Sequence, residues 1–165
     1  MFSTNDYIIY GNTGICKIES IKEMKFGNNP TRKYYIIKPV YGEKETIYSP
    51  IDNTAINIRK IMNLDEVKEL INEIPKQDTI WIEDISDRKE KYSEIIKGGN
   101  RHDLVKLIKT LYLKKQEKAK EGKKLMIGDE KLMQEAEKIL HQELALILDI
   151  KPEEVAPFIT SELKE

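Results

Sequence analysis

The sequence predicts an α+β protein of two domains: a small, bent antiparallel β-barrel, then an all-α helical bundle. Two observations carry this. In the first sixty or so residues, aromatic and β-branched residues gather in four short runs, broken by Gly, Asn and Pro roughly every 8–12 residues. Beyond residue 79 the apolar residues recur at helical spacing instead, and Gly and Pro mark the ends of each repeat.

Tyr7-Ile8-Ile9-Tyr10 is the first strand, and Gly11-Asn12-Thr13-Gly14 is a turn whose Gly and Asn supply positive φ. Ile15 to Ile21 alternate imperfectly, as a strand with a bulge does. Tyr34-Tyr35-Ile36-Ile37 and Glu45-Thr46-Ile47-Tyr48 follow, ending in Pro39 and Pro50. The module closes near Arg59-Lys60, which sets the first domain at residues 1–62. So small a sheet has no room for an enzyme core and reads as an interaction module.

Residues 63–78 are a short helix and linker. Asn63 caps the helix with Glu66 in the reciprocal position, Leu64, Val67, Leu70, Ile71 and Ile74 form one apolar face, and Pro75 stops it. The pattern leaves open whether this helix packs on the sheet or on the later helices. Residues 79–165 form the helical domain. Ser86 or Asp87 caps a helix bearing Tyr92, Ile95 and Ile96, ended by Gly98-Gly99. Asn100 starts the next, with Leu104, Val105, Leu107, Ile108, Leu111 and Tyr112 as its buried stripe; its distal part, Lys114 to Glu121, is polar all round. Asp129 caps a long helix with Leu132, Met133, Ala136, Ile139, Leu140, Leu144, Ile147 and Leu148 inward, and Pro152 and Pro157 sit in the first turns of short terminal elements.

Composition narrows the function. Charged residues make up 35% and hydrophobic ones 39% of 165, and no apolar run approaches the roughly 20 residues that span a bilayer. The first six residues hold no basic region and no apolar stretch, so no secretory signal is expected, and a lone Cys16 fits core filler in a reducing cytoplasm. Residues 1–74 carry 10 basic and 10 acidic residues, residues 75–128 carry 14 and 9, and residues 129–165 carry 4 and 10. A basic middle suits a polyanion over one limited surface, although Lys-Glu mixtures also make ordinary solvated helix faces. His102 and His141 lie on separate helices without a metal-type neighbour spacing. No nucleophile elbow, phosphate loop or dinucleotide fingerprint is present, and the pairs Glu83/Asp84 and Glu153/Glu154 suit no cleft. The expectation is a non-enzymatic protein without cofactor or metal. Trp81, the single tryptophan, opens the basic helical segment; it reads either as an anchor for the domain junction or as a contact surface.

The order Asp6 to Tyr10, Gly14, Ile18-Glu19-Ser20-Ile21, Tyr34 to Ile37 and Thr46 to Pro50 resembles the amino-terminal domain of the CarD/CdnL family of bacterial transcription regulators, shared with the transcription-repair coupling factor. The resemblance continues through Ile58-Arg59, Trp81, Gly98-Gly99 and Leu107 to Gln116, then Gly128 to Lys131 and Leu140 to Ala145, and so covers about the whole chain. It implies an SH3/Tudor-like module that grips the RNA polymerase β subunit. It also implies a helical domain touching promoter DNA at the upstream edge of the bubble, without base-specific readout, which modulates open-complex stability. By the same resemblance Trp81 wedges into the minor groove, Arg88, Lys89, Lys91 and Lys131 contact DNA, and Lys22, Met24, Lys25 and Tyr48 contact polymerase.

The chain departs from the family pattern in two places. Ile82-Glu83-Asp84-Ile85 separate Trp81 from Arg88-Lys89, and Met24 and Tyr48 fall where some members are basic, with Lys22, Lys25 and Lys44 close by. The expected protein is a cytoplasmic monomer. The alternative is a protein-interaction adaptor that keeps the Tudor-like module and makes no functional DNA contact.

Overall fold

The computed structural model describes residues 2–11, 13–42 and 45–163. The chain divides into two compact units, Met1–Ile61 and Met62–Glu165. Asn12 of the predicted turn and Lys44 lie outside the described residues.

The first unit is a five-stranded antiparallel sheet: β1 (Tyr7–Tyr10), β2 (Gly14–Met24), β3 (Arg32–Pro39), β4 (Ile47–Pro50) and β5 (Ile58–Lys60), in the spatial order β4-β3-β2-β1-β5. The predicted bulge is present. Ile18 faces Ile37 but Ser20 faces Ile36, so Glu19 is the extra residue. Strict alternation would turn Ile21 outward; the bulge shifts the register so that both Ile18 and Ile21 join the core of Ile8, Tyr10, Cys16, Tyr35 and Ile37. The residues before β1 stitch to the same place, Asn5 N donating to Ile18 O (2.7 Å) and Ile18 N to Asp6 O (2.9 Å).

The expected closure into a barrel is not found. Among the described residues no ladder joins β4 to β5, and the sheet is open. These edge strands, of four and three residues, lie at opposite ends of the sheet order and leave only short edges.

The second unit contains α1 (Leu64–Glu73), α2 (Ile85–Gly98), α3 (Arg101–Lys120), α4 (Ile127–Leu148) and α5 (Val155–Leu163), with 3-10 turns at Ile74–Lys76 and Pro152–Glu154. The Asn63/Glu66 capping box forms in both directions (2.9 and 3.1 Å). Asn100 caps α3, and Gly99 ends α2 in the left-handed conformation at φ 64°. Helix α1 packs with α4 and α5 in a core of Val67, Leu70, Ile71, Leu140, Leu144 and Val155, so it belongs to the helical unit. Leu64, expected on its buried face, is exposed.

Three other details differ from expectation. Asp84, not Ser86 or Asp87, caps α2, its side chain accepting from Asp87 N at 2.9 Å. Helix α4 begins two residues before Asp129, after Met126, and makes no side-chain cap. Tyr112 is exposed, and Thr110 takes a buried place on α3 instead. Tyr112 lines a groove of about 750 Å³ beside Val105, Met133, Leu140 and Ile159, and its hydroxyl accepts from Gln116 Nε2 at 2.9 Å. No helix among the described residues is long and apolar enough to cross a membrane.

Candidate functional site

Trp81 lies in an extended segment, residues 80–83, that has no secondary structure of its own, so its backbone groups need partners elsewhere. The helices supply them. Tyr92, fully buried on α2, donates its hydroxyl to Ile80 O at 2.7 Å, and Ile80 N donates to Thr110 Oγ1 on α3 at 3.0 Å. Arg88 Nη1 donates to Ile82 O (3.0 Å) and Glu83 O (3.2 Å). Four polar contacts thus fix the backbone on both sides of the ring.

The ring is half-buried. It packs against the cluster of Tyr92, Leu107, Leu111 and Met133 on one part of its surface. Its Nε1–H donates to Glu83 Oε1 at 3.1 Å. Two cations stack on it: the Arg88 guanidinium at 4.4 Å from the ring centroid and the Lys114 ammonium at 4.5 Å. Both lie within the range at which the ring quadrupole attracts a cation.

Arg88, expected as a phosphate contact, has its donors committed to partners inside the helical unit. It is 3% exposed, and its Nε and Nη2 donate bidentately to Asp129 at 2.9 Å each. Nη1 is held by the carbonyls already named, and Nη2 also reaches Met126 Sδ at 3.4 Å. The planar fork of arginine suits such a buried carboxylate pair. Asp129, expected as a helix cap, is spent on this pair, which ties α2 to the first turn of α4.

Lys89 and Lys91 are both exposed on α2. Two positions apart, they point about 200° away from each other around the helix axis, so one straight phosphate track does not take both. Lys131 is exposed just past the first turn of α4, two residues beyond Asp129. The structure therefore brings Trp81, Arg88, Asp129 and Lys114 together and leaves Lys89, Lys91 and Lys131 as separate surface charges.

Thr110, the Tyr92 hydroxyl, Asp129 and Lys114 were not singled out for this site by sequence. Thr110 alone carried a local signal, as a polar residue inside the apolar stripe of α3. The others act across separations of 12 to 41 residues, where a single sequence shows no pattern.

In the first unit, strand alternation and register put Lys22, Met24, Tyr34, Ile36, Tyr48 and Pro50 on the sheet face opposite its core. Phe26, just past β2, packs edge-on against Tyr34 (5.1 Å) and Tyr48 (5.7 Å). Tyr34 is buried there, while Phe26 and Tyr48 remain 39% and 46% exposed. Lys22, Met24 and Tyr48 thus share one face as a mixed aromatic and basic patch, and Lys25 is exposed just past the end of β2. Phe26 is the residue that sequence reasoning missed.

No group of three or more His, Cys, Asp or Glu suited to a metal occurs among the described residues. His102 Nδ1 lies 3.1 Å from Glu73, and burial lowers the His141 pKa. Buried Cys16 has its thiol pushed up to about 11 by desolvation.

Residues 2–62 match the family model of the CarD-like/TRCF RID domain, and residues 66–160 match that of the CarD C-terminal domain. No curated protein matches the chain.

Proposed function

The chain belongs to the CarD-like family, whose domains are those of transcription-associated, RNA polymerase-interacting proteins, and we propose that it acts as a regulator that grips the polymerase β subunit and supports the upstream fork of the promoter bubble. The first unit supplies the grip through the face of Lys22, Met24, Phe26 and Tyr48. The family resemblance implies basic residues in some members at about Met24 and Tyr48, where this face offers a thioether and a phenol ring, so contact relies more on buried apolar area and less on charge. The second unit meets DNA through Trp81, with Lys89 or Lys91 and Lys131 as phosphate contacts.

One observation carries the DNA reading. Trp81 keeps part of its ring surface exposed, yet the backbone around it is fixed by Tyr92, Thr110 and Arg88. A large apolar ring held rigidly at a surface does not have to be ordered when it meets a base step, and at a step already unpaired by melting the unstacking cost is small. Stacking there is worth about 1–3 kcal/mol, enough to lengthen open-complex lifetime by roughly five- to a hundredfold. With no base-reading helix assigned, contact is by phosphate and shape.

The test is Trp81→Ala. The contacts to the backbone of residues 80, 82 and 83 do not involve the ring, and the ring is not fully buried, so the stability loss should stay below the 3–5 kcal/mol of a fully buried aromatic. Open-promoter complexes should decay faster, while polymerase pull-down stays intact. Unchanged open-complex half-lives would remove the wedge role.

The adaptor reading draws on a specific observation as well: Arg88 is consumed internally and Glu83 caps the indole N–H, which lowers the positive charge around the ring. A titration with forked DNA separates the two readings, since an adaptor shows no salt-dependent binding.

A further inference from the structure

Trp81 carries two stacked cations that differ in how they are held. Arg88 is locked by Asp129 and two backbone carbonyls. Lys114 has the ring and one exposed i,i+3 partner, Glu117 at 3.5 Å, and its side chain is 22% exposed. A stack that solvent reaches and a surface ion pair are both weak, so Lys114 is releasable where Arg88 is not.

We propose that Lys114 is a DNA-phosphate contact that covers the Trp81 ring in the free protein and passes from ring to phosphate when DNA arrives. This rests on the DNA-contacting role proposed for Trp81. Two features favour it. Among the described residues, Lys114 is the one cation within stacking distance of the ring whose donors are not committed to buried acceptors. Of the other charged groups at hand, Arg88 is already neutralised by Asp129, while Glu83 on the indole N–H and Glu117 on Lys114 itself repel a phosphate, so approach of the nucleic-acid backbone to Trp81 requires a further cation there. Transfer of the ammonium also uncovers ring surface at the moment a base step becomes available to it. Local sequence gives no hint of this, since Lys114 sits in a stretch of α3 that is polar all round.

The experiment uses the full chain and forked DNA, a labelled duplex unpaired at one end, titrated by anisotropy over a range of salt concentrations. Each lost phosphate contact lowers the slope of log affinity against log salt by about 0.9. Lys114→Met should therefore reduce the slope by about 0.9 and weaken binding about eightfold at 0.1 M salt, and Lys114→Arg should restore both. Trp81 is the only tryptophan, so its fluorescence reports on this site alone. In the free protein, Lys114→Met should make that fluorescence more accessible to acrylamide, with the melting curve confirming a folded domain. A slope equal to the wild type's in Lys114→Met, or no recovery in Lys114→Arg, overturns the proposal. Trp81→Ala in the same titration separates the premises: if it binds as the wild type does, the DNA role of Trp81 fails; if it weakens binding while Lys114→Met keeps the full slope, only the role of Lys114 fails.

Discussion

The Arg88–Asp129 pair shows at residue scale how a charge is diverted from surface to interior. Both side chains are nearly inaccessible, at 3% and 6%, so each has lost its hydration and depends on the other. Removing one partner strands the other. Asp129→Ala is expected to cost about 3–5 kcal/mol and lower the melting temperature of the helical unit by more than about 10 °C, read by circular dichroism. Replacing both with apolar residues of similar volume should recover most of that loss. If the double variant melts no higher than Asp129→Ala, hydrogen bonding to residues 82 and 83, not the charge pair, is the dominant contribution of Arg88. Cys16 gives a second test. With its thiol raised to about 11, almost none is thiolate at pH 8, and the residue is buried in the sheet core. Native protein should react with Ellman's reagent only as fast as the sheet opens, and denatured protein at once; rapid native labelling would contradict the burial of Cys16.

At the scale of elements, what the sequence made legible was what is decided locally. Asn63 and Asn100 have side chains that reach the third helical N–H, and both helix starts were found from that chemistry alone. Glu19's bulge was legible because Ile18 and Ile21 are three apart, a spacing no regular strand can bury on one face. The misses have distant causes. Asp129 looks like a cap until Arg88, 41 residues earlier, takes its carboxylate. Tyr112 fits the apolar stripe of α3, but Thr110 is the residue drawn inward, because Ile80 N needs an acceptor. Barrel closure depends on whether two short edges meet, which alternation within each strand does not encode. The capping box offers a direct measurement: Asn63→Ala removes the acceptor for Glu66 N and should cost about 1 kcal/mol, with Asn63→Gly recovering much of it. A loss under about 0.3 kcal/mol by urea titration would mean water replaces the cap without penalty.

For the whole molecule, the two family-model matches divide the chain almost where its own contacts do, at residues 62–66 and at 61/62. Each unit has its own hydrophobic cluster, so the proposed roles can be separated by variants placed in one unit at a time. Interface energy concentrates in aromatic anchors more than in rim charges. On the first unit Phe26 and Tyr48 hold the anchor positions, and Lys22 and Lys25 the charged ones. Tyr48→Ala in the full chain should therefore weaken capture of the polymerase β subunit by tenfold or more, and Lys22→Ala by only a few-fold with the larger share in association rate. Because Tyr48 lies opposite the core, its loss should leave the melting curve of the sheet close to the wild type's. Residues 1–62 alone should retain capture, and Trp81→Ala should not affect it. If Lys22→Ala weakens capture as much as Tyr48→Ala, and added salt abolishes binding, the grip is ionic despite the aromatic surface. If only residues 62–165 retain the β subunit, the division of roles between the two units is reversed.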